Sequence, residues 1–326
     1  MKYFLGVDAG GTKTEAVILD GEGRIVGIGR SGPGNYEGIG VEEAKRNWIL
    51  AIEKAKGERR NIEFEVACFG LAGADFPEDF IMLEKEIKEL NIAKEFIVEN
   101  DAPIALRAGN KEFWGVIIVM GTGNNGYGRA KNGRWYRYFG EGYIFGDWGG
   151  ASSIVQEMLF HAFRSYDGRG EKTLLEDIVL NFFNEKDYVD LAKRLYYNPS
   201  EYNKALELAP LLFEAVRMGD KVAIKIVERV VDETVISAYN LMKKLDLLRE
   251  ETPVVLAGSV YKGAEWLPEY IQGKLRVYAE KCKVIPLKIP PAVGAVLIAY
   301  EKGGCVLTDE IWDYLWNFDY NSAIRT

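Results

Sequence analysis

Short apolar runs separated by glycine-rich turns open the chain. Positions 3–8, 14–20 and 24–30 read as strands, and the turns between them are short enough to require antiparallel pairing. Asp20-Gly21-Glu22-Gly23 closes the second strand with a turn signal. A loop through Gly32-Pro33-Gly34-Asn35 follows. The period then changes to that of a helix. Val41, Ala44, Trp48, Ala51, Ile52 and Ala55 mark its apolar face, and it ends before Gly57. Positions 64–69 read as a buried strand entering Gly70-Leu71-Ala72-Gly73. A helix over about 78–90 places Phe80, Leu83, Ile87 and Leu90 on one side. A short strand at 96–98 ends at Glu99-Asn100-Asp101, and another helix starts near Ala102. The opening block thus reads βββαβαβα.

The pattern then restarts. Positions 116–120 are fully apolar and turn through Gly121-Thr122-Gly123-Asn124-Asn125-Gly126. Short strands are predicted at 127–130 and 135–139. From Gly146-Asp147-Trp148-Gly149-Gly150 onward the chain is mainly helical up to Leu248. Its longest helix spans about 220–246, with Val222, Ile226, Val230, Val231, Val235 and Ala238 at core spacing. Strands follow at 254–257 and 284–289, then a helix after Pro290-Pro291 and a last helix carrying Ile311, Tyr314, Leu315 and Phe318.

Four apolar strands therefore run into glycine-rich turns, at 10–11, 70–73, 121–126 and 258. In α/β sheets ligands collect outside the carboxyl ends of strands. The first turn, Asp8-Ala9-Gly10-Gly11-Thr12-Lys13-Thr14, lies between two strands. It is a hairpin rather than a strand-to-helix P-loop, and the dinucleotide fingerprint is also missing. Adjacent glycines admit a ligand close to the backbone, and the Thr12 and Thr14 hydroxyls add donors for phosphate oxygens. An ordinary tight hairpin would also carry two glycines, so the echo at 121–123 matters. Two such turns in two blocks suggest one nucleotide held by both. Asp8, ending the first strand, suits a hydrated divalent cation. Asp101 suits the base for an attacking hydroxyl, or, more plainly, the cap of the helix it precedes. Asp147 suits a sugar hydroxyl or a metal, or else a turn stabilised by its own backbone.

Composition narrows the picture. The 326 residues are 48% hydrophobic and carry a net charge of −8. That fits two folded domains and argues against nucleic acid as a partner. No apolar run reaches membrane-spanning length and no signal-peptide core is seen, so no membrane partner and a cytoplasmic location are expected. Cys68, Cys282 and Cys305 are isolated, which disfavours zinc or a redox dithiol. Cys68 reads as core. His161 is the single histidine and reads as an ordinary helix residue.

Taken in order, DAGGTKT, GLAG, END, GTGNN, GDWGGAS, AGSV and PPAVGA resemble the BadF/BadG/BcrA/BcrD-type ATPases and N-acetylglucosamine kinases of the actin-like ATPase and sugar-kinase superfamily. The resemblance covers residues 3 to about 300. It implies a two-lobed α/β actin-like (ribonuclease H-like) fold with the nucleotide cleft between lobes. The lobes would be 1–115 and 116–326, with a helical insertion at about 150–248 and the last helix packing on the first lobe. It implies an ATP-dependent sugar kinase acting on a hexose or amino sugar, with ATP and Mg²⁺ as cofactors and a homodimer as assembly. Gly10, Gly11, Thr12 and Lys13 match the first phosphate hairpin, and Gly121, Thr122 and Gly123 the second. Asp8 matches the position that organises Mg²⁺ through water, and Gly258 and Ser259 face the adenosine. Asp101 matches the base, and Asn35, Gly73, Asn125 and Asp147 match sugar positions.

Two departures bear on the sugar. The usual Gly-Asp-Glu-Gly-Ser is Gly146-Asp147-Trp148-Gly149-Gly150 here, and Glu141 stands where a sugar-pocket tryptophan is usual. Carboxylates at 141 and 147 point to an unacetylated amine or another polyol. Two other readings share the resemblance. One is an activator ATPase of a radical dehydratase, for which the cysteines do not sit at suitable turns. The other is an ATP- or sugar-sensing module, which would need no base at 101.

Overall fold

A computed structural model describes residues 2–59 and 61–325; Met1, Arg60 and Thr326, and with them the outer limits of the expected lobes, lie outside the described residues. The chain divides into two compact units. The first comprises 1–117, 127–134 and 287–326, and the second 118–126 and 135–286.

The first unit opens with β1 (Tyr3–Ala9), β2 (Thr14–Asp20) and β3 (Ile25–Ser31), then α1 (Tyr36–Ile39) and α2 (Val41–Lys56). It continues with β4 (Phe64–Leu71), α3 (Pro77–Leu90), β5 (Ala93–Asn100) and α4 (Asp101–Gly109). Next come β6 (Gly115–Met120), β7 (Asn124–Arg129) and β8 (Trp135–Arg137). The helical stretch holds α5 (Ala151–Tyr166), α6 (Leu175–Phe183), α7 (Tyr188–Tyr197), α8 (Glu201–Lys204), α9 (Ala209–Arg217) and α10 (Lys221–Lys244). The chain closes with β9 (Pro253–Gly258), α11 (Leu267–Arg276), β10 (Lys283–Pro286), α12 (Pro291–Lys302), α13 (Asp309–Asn317), α14 (Tyr320–Ala323) and β11 (Ile324–Arg325).

One sheet runs in the order β11-β3-β2-β1-β4-β5, the other β10-β9-β6-β7-β8. As the short turns require, β1 pairs antiparallel with β2, and β2 with β3. β1, β4 and β5 are parallel. The odd positions of β1, Leu5, Val7 and Ala9, join Ala44, Trp48, Ala51 and Ile52 of α2 in a buried core. The even positions face the other way, as strand alternation requires. Phe4 stacks edge-on against Tyr300 of α12. A Cβ at Gly6 would come within 2.1 Å of the Val296 nitrogen of α12. On the far side of α12, a Cβ at Gly294 would lie 1.8 Å from the Ile104 carbonyl of α4. These approaches bring α12 backbone to backbone against both β1 and α4. Buried Arg107 of α4 then locks onto Glu301 of α12 (Nη2–Oε1 2.9 Å) and caps the carbonyls of Asn110 and Lys111.

Several boundaries differ from those expected from sequence. Gly70 and Leu71 belong to β4, not to a turn, because β4 stays paired with β5 as far as Asn100. Asn124, Asn125 and Gly126 start β7, so the second glycine turn is only 121–123. The strand expected at 284–289 stops at Pro286. α1 was not anticipated; four residues are too few to show a helical period.

Candidate active site

The first unit builds its site on a sheet row. Glu15, Asp8, Gly70 and Glu99 are register partners across β2, β1, β4 and β5, so their side-chain directions share one face. That is the α4 face: a Cβ at Gly70 would meet Ile104 at 2.1 Å. Crowding of carboxylates shapes the titration. Burial, and then Glu15 and Asp101, push the Asp8 carboxyl up to about 7, with Lys13 opposing. Burial alone would raise Glu15. Lys13 and Arg30 outweigh it and hold the Glu15 carboxyl below its usual range. Arg30 reaches Glu15 Oε1 at 2.7 Å, and Lys13 is hydrogen-bonded to Glu15 Oε2. So Lys13, expected to serve phosphates, is committed to Glu15 here. Burial raises Glu99 as well, against the pull of Arg129.

Asp101 is the first residue of α4 and is not its cap. Asn100 is the cap, its Oδ1 accepting from the Ala102 N–H at 3.1 Å, while its Nδ2 donates to Asp75 at 3.0 Å. The capping role offered for Asp101 from sequence is therefore filled by its neighbour. The hairpin ahead of it is closed by Gly10 N–H to Lys13 O at 3.0 Å. The Gly10 carbonyl accepts from Gly34 and Asn35, which ties Asn35 to the turn. Asn35 caps α1 through the Glu37 N–H at 3.0 Å, and a Cβ at Gly73 would lie 2.8 Å from its Oδ1. Asn35 and Gly73 are thus neighbours.

The second unit presents the other turn. Gly121 N–H donates to Gly123 O at 3.0 Å. The first amides of α5 face the back of this turn: Ala151 N–H to Gly121 O at 2.9 Å and Ser152 N–H to Thr122 O at 3.0 Å. Gly258, at φ +93°, lies against it, since a Cβ there would be 2.2 Å from the Met120 carbonyl. Ser259 follows Gly258 directly. The glycines at 11, 121 and 123 are different. A Cβ at any of them would meet nothing within 4 Å, and none has positive φ. Neither packing nor a positive φ demands glycine there, and the open space beside each leaves room for a ligand to approach the backbone.

Asn125, Glu141 and Asp147 come together within the second unit. A Cβ at Gly140 would lie 2.9 Å from Asn125 Cγ. The Asp147 carboxylate accepts the Glu141 N–H at 3.0 Å, and the Gly140 and Gly142 amides also bond to it. Burial raises the Asp147 carboxyl, and these amides and Arg137 oppose the rise. The turn-stabilising reading of Asp147 is therefore realised. Beyond Gly142, Tyr143, Ile144 and Phe145 are exposed. Sequence reasoning missed Glu15 and Glu99, although a charged residue on an apolar strand was the available signal. Of the cysteines, Cys68 lies in the β4 core, where burial pushes its thiol well up. No helix among the described residues is long and apolar enough to cross a membrane.

The family model described as BadF/BadG/BcrA/BcrD ATPase matches residues 5–299. The chain belongs to that family. It is 33% identical over 301 residues to an N-acetylmuramic acid/N-acetylglucosamine kinase of Clostridium acetobutylicum, covering 92% of this chain and 98% of the relative. It is 28% identical over 315 residues to an N-acetyl-D-glucosamine kinase of Dictyostelium discoideum, covering 91% and 98%. Among solved structures it resembles a putative N-acetylglucosamine kinase from Chromobacterium violaceum, with TM-score 0.73, 19% identity and coverage of 92% and 99%. The fold class expected from the sequence, that of actin-like ATPases and sugar kinases, is the one observed. Membership of an ATPase family makes ATP the nucleotide to accommodate.

Two predictions follow from the geometry. The folded Asp8 carboxyl titrates near 7 instead of 3.8, so folded protein binds this proton more tightly than unfolded chain. Its ionisation therefore costs stability progressively as pH rises between those values, and fully above them. Asp8→Asn is expected to raise the Tm of metal-free protein at pH 8 by several degrees, with the gain vanishing near pH 4. A loss at pH 8, or a gain independent of pH, contradicts this origin. The glycines separate by substitution. Gly11→Ala and Gly123→Ala should leave Tm unchanged or slightly higher and raise the KM for ATP at least tenfold. Gly258→Ala should lower Tm markedly, because its Cβ meets backbone. Thermal melts alongside ATP titrations check both halves.

Proposed function

We propose that the protein transfers the γ-phosphoryl group of ATP to a hydroxyl of a hexosamine, with Asp101 as the general base and an N-acetylated sugar as the preferred acceptor. Family membership and two relatives named as kinases of N-acetylated amino sugars support the reaction class. The observation that carries the assignment of Asp101 is its place at the first turn of α4 with capping already done by Asn100. A carboxylate there can accept the proton of an acceptor hydroxyl as it attacks phosphorus.

The amides of 10–13 and 121–123, with the Thr12 and Thr122 hydroxyls, would donate to phosphate oxygens. Gly258 and Ser259 would lie along the adenosine. Asp8 fits a divalent cation, since oxygen donors suit one and a positive charge relieves the repulsion from Glu15 and Asp101. Bound Mg²⁺ would neutralise phosphate charge. Asn35, Gly73, Asn125, Glu141 and Asp147 would receive the sugar. The homodimer and the cytoplasmic location expected from the sequence belong to the same proposal.

The choice of acceptor departs from the sequence argument for a free amine. That argument needed two carboxylates free to pair with a cation, and the loop amides of 140–142 already offset the Asp147 charge, leaving it to accept from a sugar hydroxyl. The same loop offers apolar surface at Tyr143, Ile144 and Phe145 for an acyl methyl group.

Asp101→Asn is expected to cut kcat by ~10²–10⁴ while ATP binding stays near wild type. Retention of a tenth of the wild-type turnover, with chemistry shown to limit the rate, removes Asp101 from the role. For the sugar, competition kinetics should give N-acetylglucosamine a kcat/KM at least about tenfold above glucosamine, the scale of one mismatched pocket contact. A preference for glucosamine that Glu141→Ala abolishes would restore the free-amine reading.

A further inference from the structure

Trp148 is the one large side chain in the run Gly146-Asp147-Trp148-Gly149-Gly150, and it is only 7% exposed. What buries it is specific. The Arg229 guanidinium of α10 lies 4.0 Å from the centre of the indole ring. The same guanidinium donates Nη1 to Glu157 Oε1 of α5 at 2.7 Å. Arg229 thus lies over the Trp148 ring while its Nη1 grips α5. A planar fork suits both contacts, with more donors and a larger flat face than an ammonium offers.

The neighbouring segment is a single short turn, held by Asp147 N–H to Gly142 O at 3.1 Å and Gly146 N–H to Tyr143 O at 3.1 Å, with little packing of its side chains. Gly142, Gly146 and Gly149 all sit at positive φ. Tyr143, Ile144 and Phe145 are exposed at 73%, 92% and 55%. Yet Asp147, whose carboxylate gathers the 140–142 amides, is covalently next to Trp148. On its other side, a Cβ at Gly150 would lie 2.3 Å from the Gly123 carbonyl, so this segment also abuts the second glycine turn. The anchored indole stands between a loop that needs holding and a turn that is already held.

We infer that Arg229 is a positioning residue: through Trp148 and Glu157 it fixes Asp147 and hence the 140–147 loop that receives the sugar. The inference rests on the reading that this loop touches the sugar. Arg229 itself touches no reacting atom. Losing it loosens sugar binding and leaves the phosphoryl-transfer step intact. The tryptophan, where the resembling kinases usually carry glutamate, then serves as the indole partner for an arginine already fixed to α5.

The test uses the full-length protein and N-acetylglucosamine, with Arg229→Gln, Trp148→Leu, Arg229→Lys and Asp147→Ala. Arg229→Gln and Trp148→Leu are expected to raise sugar KM at least fivefold, with kcat and ATP KM within twofold of wild type. Hydrogen exchange at the Glu141 and Gly142 amides should quicken in both, and Arg229→Lys should recover part of each effect. Unchanged exchange at 141–142 overturns the inference, as does an unchanged sugar KM for Arg229→Gln when Asp147→Ala raises it. If Asp147→Ala leaves sugar KM unchanged, the sugar contact under the proposed function fails instead. The exchange arm still reads the positioning, because it needs no substrate.

Discussion

The first unit depends on α12 lying against both β1 and α4 with no side chain between the backbones. Gly6 and Gly294 permit those approaches, where any Cβ would overlap main-chain atoms at about 2 Å. The consequence reaches the chemistry. β1 ends in the segment bearing Asp8, and α4 begins at Asp101. One helix therefore packs against both the strand bearing Asp8 and the helix bearing Asp101, whose charge adds to burial in raising the Asp8 carboxyl. Such packing transmits strain instead of absorbing it. The Arg107–Glu301 pair fixes the same contact at the far end of α4, with the arginine fully buried and its remaining donors on backbone carbonyls. Burial of that cation is tolerable because Nε and Nη2 meet the Glu301 carboxylate and Nη1 meets two carbonyls.

Glycines fall into two classes with different causes. Those at 6, 150, 258 and 294 are there for the protein's own backbone. Those at 11, 121 and 123 face open space, which leaves their backbones accessible to a ligand. Read from sequence, the two classes look alike. DAGGTKT and PPAVGA each contribute glycine to the family resemblance, yet Gly11 faces open space and Gly294 faces a helix.

Most of the fold was legible, for a simple reason. Strand and helix periods at 3–56 and along α10 are long, amphipathic and bounded by glycine or proline, so local and tertiary preferences agree. Boundaries failed where pairing overrides turn chemistry. Gly70 reads as a turn residue but is held in β4 by ladder bonds to β5. The partners of the candidate site residues were less legible. Asp101 and Asn100 are adjacent polar residues at a helix start, and only geometry tells which one caps. For Asp147 the sequence offered a ligand or its own turn and for Lys13 a phosphate, and the structure shows the protein partners of each, loop amides for one and Glu15 for the other. Side-chain pairing across strands or along a loop leaves no periodic mark in a sequence.

These two partnerships share a physical logic. An active site must hold charge where the substrate will need it, and bare charge in a half-buried setting is costly. Here the charges are shared out. Lys13 and Arg30 steady Glu15, which leaves Asp8 beside carboxylates and with a raised pKa. Asp147 is steadied by amides that belong to its own loop. The first arrangement carries a deficit that a cation can fill; the second is internally satisfied. Burial raises both carboxyls, but at Asp147 the loop amides oppose the rise, whereas at Asp8 neighbouring carboxylates add to it. Removing the Asp8 carboxylate relaxes its unit, whereas removing that of Asp147 frees the amides of its own loop.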